Sequence, residues 1–225
     1  MPDVSGLVKR IIDGVYSLLN PPFCAFCKTF DMQRGDVLCQ TCDKKIFPIV
    51  SSTIQLTMQH QMKVFAVSRY QDPLKSLILA KTHSDIAVSK QLGKLLNQKL
   101  CIELMQPDFF VPIPLHWTRY AYRGYNQAEE MAAVLAQKNS IPLVHLLCRS
   151  KQTKFQAGLT SAVRKENLTD AFVVDHTMDR KQYQDKHLVL IDDLMTTGST
   201  LKEAGRQLLT LKPRAINAIV VARVP

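Results

Sequence analysis

The chain has 225 residues, of which 46% are hydrophobic and 21% are charged, and its formal net charge is +10. This length fits one main domain with a small addition, and this composition excludes a chain dominated by disorder. Six basic and five acidic residues precede residue 61, whereas 23 basic and 14 acidic residues follow it. The excess beyond residue 60 predicts a cleft for a polyanion, with a solvated basic face as the alternative.

The first predicted element is an amphipathic helix over Val4–Leu19, where apolar residues recur at three- and four-residue spacing. Lys9, Arg10 and Asp13 interrupt this N-terminal stretch, which excludes the continuous apolar centre of an export signal. No apolar run reaches the roughly 18 residues that cross a bilayer, so no transmembrane segment is predicted. We therefore expect a cytoplasmic protein whose first helix covers the neighbouring module. The alternatives are a partner helix and a peripheral contact with the inner membrane.

Two cysteine pairs follow this helix. Cys24 and Cys27 form one Cys-x2-Cys pair, Cys39 and Cys42 form the other, and eleven residues separate the pairs. This spacing predicts a four-thiolate zinc site, which is structural because sulfur fills all four coordination positions. Residues 1–50 are accordingly predicted to hold the amphipathic helix and a small zinc-finger-like module. The remaining cysteines lie in apolar surroundings and are predicted to be buried thiols: Cys101 and Cys148.

Residues 51–225 are predicted to form the main domain, and the polar stretch Pro48–Met62 is predicted to be a linker or loop. Beyond it, strands and helices alternate, which implies an α/β fold with a parallel sheet and right-handed crossovers. The predicted strands are Val64–Tyr70, Phe109–Pro112, Leu143–Cys148, Ala171–Val174, Leu188–Ile191 and Ala218–Val224. The predicted helices are Pro73–Lys81, Asp85–Leu100, Asn126–Lys138 and Thr200–Leu211.

The most informative segment is Val189–Thr200, a buried strand that runs into Asp192, Asp193 and a turn of small residues opening a helix. Backbone N–H groups, hydroxyls and the helix N-terminus suit a terminal phosphate, and Gly198 permits close approach. The two acids would repel that phosphate, so the ligand must present hydroxyls away from it, as a ribose 5-phosphate does. The carboxylates can bind those hydroxyls directly or through magnesium. Walker-type and dinucleotide-binding glycine motifs are absent.

These residues resemble the phosphoribosyl pyrophosphate (PRPP) signature of type I phosphoribosyltransferases, in which hydrophobic residues precede Asp-Asp and Thr-Thr-Gly-x-Thr. A second segment carries Val-Pro-x-Pro from Val111 and then Arg-Gly-Tyr-Asn-Gln from Arg123. It resembles the ComF (ComFC) competence-protein family within that superfamily, with Tyr125 replacing a phenylalanine. The resemblance implies a type I phosphoribosyltransferase-like parallel sheet flanked by helices, behind a small N-terminal four-cysteine zinc module.

The resemblance also implies the site residues. Arg119 and Arg123 follow a strand end and would pair with pyrophosphate oxygens. The long segment Lys151–Lys165 would close over the site and bring in a cation. The catalytic candidates are Asp192, Asp193 and Arg164. The PRPP-binding candidates are Asp192, Asp193, Met195, Thr196, Thr197, Gly198, Ser199, Thr200, Pro114, His116, Arg119, Arg123 and Lys151.

Three functions stay open. The first is a phosphoribosyltransferase that uses PRPP with magnesium, with an acceptor that the motifs do not name. The family links it to natural competence, the uptake and processing of transforming single-stranded DNA. The second is a binding module of DNA uptake or recombination, in which the PRPP site regulates contact with single-stranded DNA or with competence or recombination proteins. The third, a nucleobase salvage phosphoribosyltransferase, is disfavoured by the zinc module. Aromatic residues that could stack on bases are Tyr70, Trp117, Tyr120, Tyr122 and Tyr125.

Overall fold

The computed structural model describes residues 23–30, 36–46, 49–80, 86–115, 117–149 and 171–224, with the backbone alone at 49–51, 80 and 119. The chain divides into two units, Met1–Lys45 and Ile46–Pro225. Several predictions fall outside the described residues. They concern the opening helix, the segment 151–165 with its two cations, His116 and the side chain of Arg119.

The first unit brings its two cysteine pairs together through backbone hydrogen bonds. Lys28 N donates to Cys24 O at 3.0 Å, which closes a turn after the first cysteine. Ala25 N donates to Val37 O at 3.0 Å and joins the two segments. The short helix α1, Gln40–Asp43, begins directly after Cys39. Main-chain hydrogen bonds therefore bring the two cysteine pairs together.

The second unit is built on a five-stranded sheet of order β1-β2-β7-β6-β3. The pairs β2/β7, β7/β6 and β6/β3 are parallel, and β1 is an antiparallel edge strand beside β2. A separate antiparallel pair is formed by β4 and β5. The strands are β1 Ile49–Gln55, β2 Gln61–Arg69, β3 Phe109–Pro112, β4 Leu147–Arg149, β5 Phe172–Val174, β6 His187–Met195 and β7 Ala215–Arg223. The predicted α/β fold with a mainly parallel sheet is confirmed.

Helices cover this sheet. The helices of the second unit are α2 Leu74–Ala80, α3 Ile86–Lys99, α4 Ile102–Met105, α5 Trp117–Arg123, α6 Gln127–Asn139 and α7 Ser199–Leu209. Leu201, Ala204 and Leu208 of α7 are buried in one hydrophobic cluster with side chains of β2, β6 and β7. Helices α3 and α6 pack together, and Asn139 Nδ2 donates to Asn97 Oδ1 at 2.8 Å near their last turns. No helix in the described ranges is both long and apolar enough to span a membrane.

The predicted linker over residues 48–62 is wrong, because most of it forms the hairpin of β1 and β2. Its polar residues alternate with apolar ones, as an edge strand requires. Thr53 and Gln55 face solvent, whereas Leu56 is buried and Ile54 packs against the core. Arg206 Nε of α7 donates to Leu56 O at 2.8 Å and ties the hairpin to the helix.

Two further predictions need correction. The strand expected over residues 143–148 is shorter, covers Leu147–Arg149 and pairs with β5 outside the main sheet. Cys101 and Cys148 are exposed rather than buried. Cys148 follows the buried Leu147 on a two-stranded sheet, and successive side chains point to opposite faces, so the apolar sequence around Cys148 did not imply burial of its own side chain. Helix α5 was not predicted at all.

Candidate functional site

The loop between β6 and α7 is shaped as an anion cradle. Gly198 ends it in the left-handed region, with φ of 75°, and serves as the N-cap of α7. No side chain in the described ranges caps this helix, whose first turn also lacks acids. Lys202 N donates to Gly198 O at 2.8 Å, so the helix is regular from its start. The N–H groups that precede this bond point toward the loop, where a phosphate can accept them.

Two hydroxyls of the loop lie together at the start of α7. Thr197 Oγ1 and Ser199 Oγ lie 2.8 Å apart, and Ser199 N lies 3.4 Å from Thr197 Oγ1. Thr196 and Thr197 are exposed, whereas Ser199 and Thr200 are half-buried. The loop therefore offers both main-chain and side-chain donors to a ligand on its outer side.

The acid pair precedes this loop and lies within β6, whereas the sequence predicted a strand that ends before the two acids. Asp192 and Asp193 are both half-buried. Asp193 N donates to Asp192 Oδ1 at 2.9 Å, which fixes one carboxylate against the strand. Asp192 is the register partner of Val220 on β7. The acid pair thus lies near the carboxyl edge of the sheet, where α/β proteins bind their ligands.

The segment after β3 lies beside the acid pair. Pro112 is the register partner of Ile191, and Ile113 N donates to Ile191 O at 3.0 Å. Asn126 anchors the segment, because its Nδ2 donates to Ile113 O at 3.0 Å and its Oδ1 accepts from Ala128 N at 3.1 Å. One side chain therefore both caps α6 and holds the end of β3 next to β6.

The Arg-Gly-Tyr-Asn-Gln motif has a structural explanation in most of its positions. Gly124 has φ of 78° and its N–H donates to Tyr120 O at 2.7 Å, which ends α5. Tyr125 and Gln127 are buried, and Gln127 Nε2 has no hydrogen-bond partner among the described residues. Arg123 is half-buried and remains the member of the motif whose charge is available to a ligand.

The structure brings together most of the predicted site residues whose side chains it describes. The acid pair, the loop 195–200 and Pro114 all lie at the carboxyl ends of the adjacent strands β6 and β3. Two further arginines at this edge were not predicted as site residues from the sequence. They are Arg69 at the end of β2 and Arg223 at the end of β7. The signal that could have found them is their place as the last residue of a predicted parallel strand.

The four cysteines of the first unit form a second candidate site. The Sγ atoms of Cys24, Cys27, Cys39 and Cys42 all lie within 4.8 Å of one another, and those of Cys27 and Cys39 are 3.6 Å apart. Burial opposes ionisation of Cys24, but backbone N–H groups of Cys39 and Cys27 outweigh it and lower its pKa to about 6. Burial, followed by the neighbouring thiols, raises the pKa of Cys42. The cluster could hold a metal ion, since the thiolate is the ligating form.

Comparison with known proteins identifies the family of the chain. The family model of the phosphoribosyl transferase domain matches residues 120–225, which include the acid pair and the loop. Competence protein F of Haemophilus influenzae is 31% identical over 208 residues, covering 83% of this chain and 90% of that protein. The chain belongs to the competence protein F family.

Two other relatives of the competence protein F family cover less of the chain. DNA utilization protein YhgH of Salmonella typhimurium is 34% identical over 164 residues, which cover 65% of this chain and 66% of that protein. Competence protein ComFC of Bacillus subtilis is 36% identical over 99 residues, or 44% of this chain and 37% of that protein. The resemblance to this family that the motifs predicted is therefore confirmed, and this member carries a phosphoribosyltransferase-like domain.

Proposed function

We propose that this protein binds PRPP with magnesium at the carboxyl edge of its sheet and transfers the phosphoribosyl group to an acceptor. The acid pair and the uncapped start of α7 carry this proposal, because they lie at opposite ends of one short strand-to-helix connection. A ligand that satisfies both must present hydroxyls at one end and a phosphate at the other. A ribose 5-phosphate has this arrangement.

Different residues of the site would bind different parts of PRPP. The loop 195–200 holds the 5-phosphate through N–H groups and hydroxyls, and Asp192 and Asp193 hold the ribose hydroxyls. Their oxygens are the donors that magnesium prefers, and an ion there would neutralise pyrophosphate charge. Arg123, with Arg119, Pro114 and His116, would contact the pyrophosphate from the β3 side. Lys151 and Arg164 are proposed as further cations that would contact the ligand.

The reaction is a displacement at C1 of the ribose. The bond between C1 and the pyrophosphate oxygen breaks, and its electron pair leaves on that oxygen. Positive charge develops on the ribose ring and is stabilised by the carboxylates of Asp192 and Asp193. A lone pair of the acceptor forms the new bond to C1, and the acceptor's proton passes to solvent. Arg123 stabilises the departing anion.

Zinc is the ion that best fits the cysteine cluster. Tetrahedral zinc with sulfur ligands at about 2.3 Å places its sulfurs about 3.8 Å apart. The separation of 3.6 Å between the Sγ atoms of Cys27 and Cys39 agrees with this value. Four thiolates leave zinc no open position, so we propose a structural role in which metal binding supplies folding energy to the first unit.

A second candidate function is binding of single-stranded DNA, with the PRPP site as its regulator. Helix α5 favours it, because Trp117, Tyr120 and Tyr122 are 70%, 51% and 86% exposed. Exposed aromatic rings beside the cation of Arg123 suit stacked bases and their phosphates. The names of two relatives, a competence protein and a DNA utilization protein, fit a role of this chain in uptake and processing of transforming DNA.

Two measurements test these proposals. Calorimetric titration of PRPP, with and without magnesium, should show magnesium-dependent binding, and release of pyrophosphate across a panel of bases and oligonucleotides should identify the acceptor. Absence of PRPP binding would contradict the enzyme proposal. For the second function, a Trp117→Ala, Tyr122→Ala variant should bind a single-stranded oligonucleotide about tenfold or more weakly. Unchanged affinity would exclude α5 as the stacking surface.

A further inference from the structure

Arg69 and Arg223 stand side by side at the ends of two parallel strands. They are register partners in the ladder of β2 and β7, so their backbones are about 4.8 Å apart and their side chains share one face. Arg69 is exposed and Arg223 is half-buried. Like charges placed directly opposite in a sheet are destabilising. A ligand that supplies negative charge would relieve this repulsion.

No acid of the described chain neutralises this pair. In the parts of the chain that the structure describes, neither guanidinium forms an ion pair or a side-chain hydrogen bond. The nearest acid in sequence to Arg69 is Asp72, which is occupied elsewhere. Its Oδ1 accepts from Ser76 Oγ at 2.6 Å and from Ser76 N at 3.0 Å, which holds the pKa of Asp72 below its usual range.

The pair adjoins the loop of the proposed PRPP site. Met195, the first residue of the loop 195–200, is the register partner of Arg223 on the other side of β7. Val224 N donates to Met195 O at 2.8 Å, and Tyr70 N donates to Arg223 O at 2.8 Å. The ladder therefore continues unbroken to this edge. Because the strand order is β2-β7-β6-β3, the pair lies on the opposite side of β6 from the segment that carries Arg123.

We propose that Arg69 and Arg223 form a second phosphate-binding site, separate from the loop that takes the 5-phosphate. This inference rests on the proposed function and adds a subsite to it. Two guanidinium groups on one face can hold a phosphate through several charge-assisted hydrogen bonds. The phosphate has two sources, the pyrophosphate of PRPP itself or a phosphorylated acceptor that approaches from the β2 side.

The test compares an Arg69→Gln, Arg223→Gln variant with a Lys63→Gln, Lys138→Gln control. The control removes the same charge, from exposed positions near the start of β2 and in the last turn of α6. In the first arm, calorimetry measures PRPP and ribose 5-phosphate. In the second arm, protein saturated with ribose 5-phosphate is titrated with the phosphorylated dinucleotide pTpT and with thymidine.

A loss of about tenfold or more for PRPP, with ribose 5-phosphate unchanged, identifies the pyrophosphate as the source. A similar loss for pTpT, with thymidine unchanged, identifies a phosphorylated acceptor. Losses no larger than those of the control in both arms overturn the arginine site. If the wild-type protein binds neither PRPP nor ribose 5-phosphate, the proposed function fails. The pTpT titration without sugar phosphate then decides the arginine site by itself.

Discussion

Ile54 closes over Gly198, since its Cδ1 lies 2.8 Å from the position that a β-carbon on Gly198 would occupy. Gly198 also has φ of 75°, a backbone conformation that is strained for any residue with a β-carbon. We expect Gly198→Ala to lower the free energy of unfolding by about 1–3 kcal/mol and to weaken binding of ribose 5-phosphate. Urea denaturation and calorimetry measure the two effects.

Gly124→Ala is the matched control for this change. Gly124 has φ of 78°, but a β-carbon there would meet nothing within 4 Å. It therefore carries the backbone strain without the contact. Gly198→Ala should be the more destabilising of the two, and Ile54→Ala should remove most of the difference. Equal losses at the two glycines would show that Ile54 yields freely and does not hold the loop.

Asn126 should be important for stability beyond its role as a helix cap. Asn126→Ala loses the cap of α6 and leaves Ile113 O without its donor, which we expect to cost about 1–3 kcal/mol in the free energy of unfolding. Asn126→Ser keeps a capping oxygen but loses the Nδ2 group that reaches Ile113 O, so its stability should fall between those of the wild type and Asn126→Ala. Urea denaturation measures all three proteins. A serine variant as stable as the wild type would mean that the Ile113 contact contributes nothing.

Zinc content tests the cysteine cluster. Elemental analysis of the purified protein should give one zinc per chain, and Cys27→Ser should release it and reduce solubility, because the small first unit loses its folding energy. Cys148→Ser is the control, since that thiol is exposed and belongs to the second unit. A wild-type protein that is fully folded and free of metal would refute the zinc assignment.

His187 predicts a loss of stability in mild acid. The ring of His187 is buried, and its pKa is lowered chiefly because burial disfavours the charged form. Its Nε2 accepts from Asn217 Nδ2 at 3.0 Å. The unfolded chain therefore takes up the proton first. The contribution of the neutral His187 ring to the free energy of unfolding is complete above the unfolded pKa of about 6.5. It is lost as pH falls through the folded pKa. The free energy of unfolding should fall from about pH 7.5 to about pH 5.5, less steeply in His187→Gln. The exposed His176→Gln variant should retain the wild-type slope.

The sequence predicted the parallel strands of the sheet and the loop at Gly198 because both depend on local patterns. Strand β3 has the predicted bounds, and β6 extends the predicted strand through the acid pair. The β1 strand was missed because an edge strand buries only one face, and its polar residues outnumber its apolar ones. Helix α5 was missed because its aromatic residues, Trp117 among them, are exposed and give no apolar stripe.

Contacts between strands could not be predicted in the same way. The pairing of Arg69 with Arg223 joins residues far apart in sequence, and it depends on the register of β2 against β7. A shift of one residue would separate their side chains onto opposite faces. The spacing of the cysteines, by contrast, is a local pattern, and the four thiols that it predicts to be grouped do lie together in the structure.

The acid pair tests the central claim most directly. Calorimetric titration of PRPP with magnesium into an Asp192→Ala, Asp193→Ala variant should show no binding, since the ribose hydroxyls lose their acceptors. Affinity for a single-stranded oligonucleotide should be retained or increased, because the change removes two negative charges that would repel the nucleic-acid backbone. A Glu103→Gln, Asp185→Asn control removes the same charge from exposed positions and should bind PRPP as the wild type does. If the folded double-alanine variant binds PRPP with wild-type affinity, the acid pair does not hold the ribose and the proposed site is wrong.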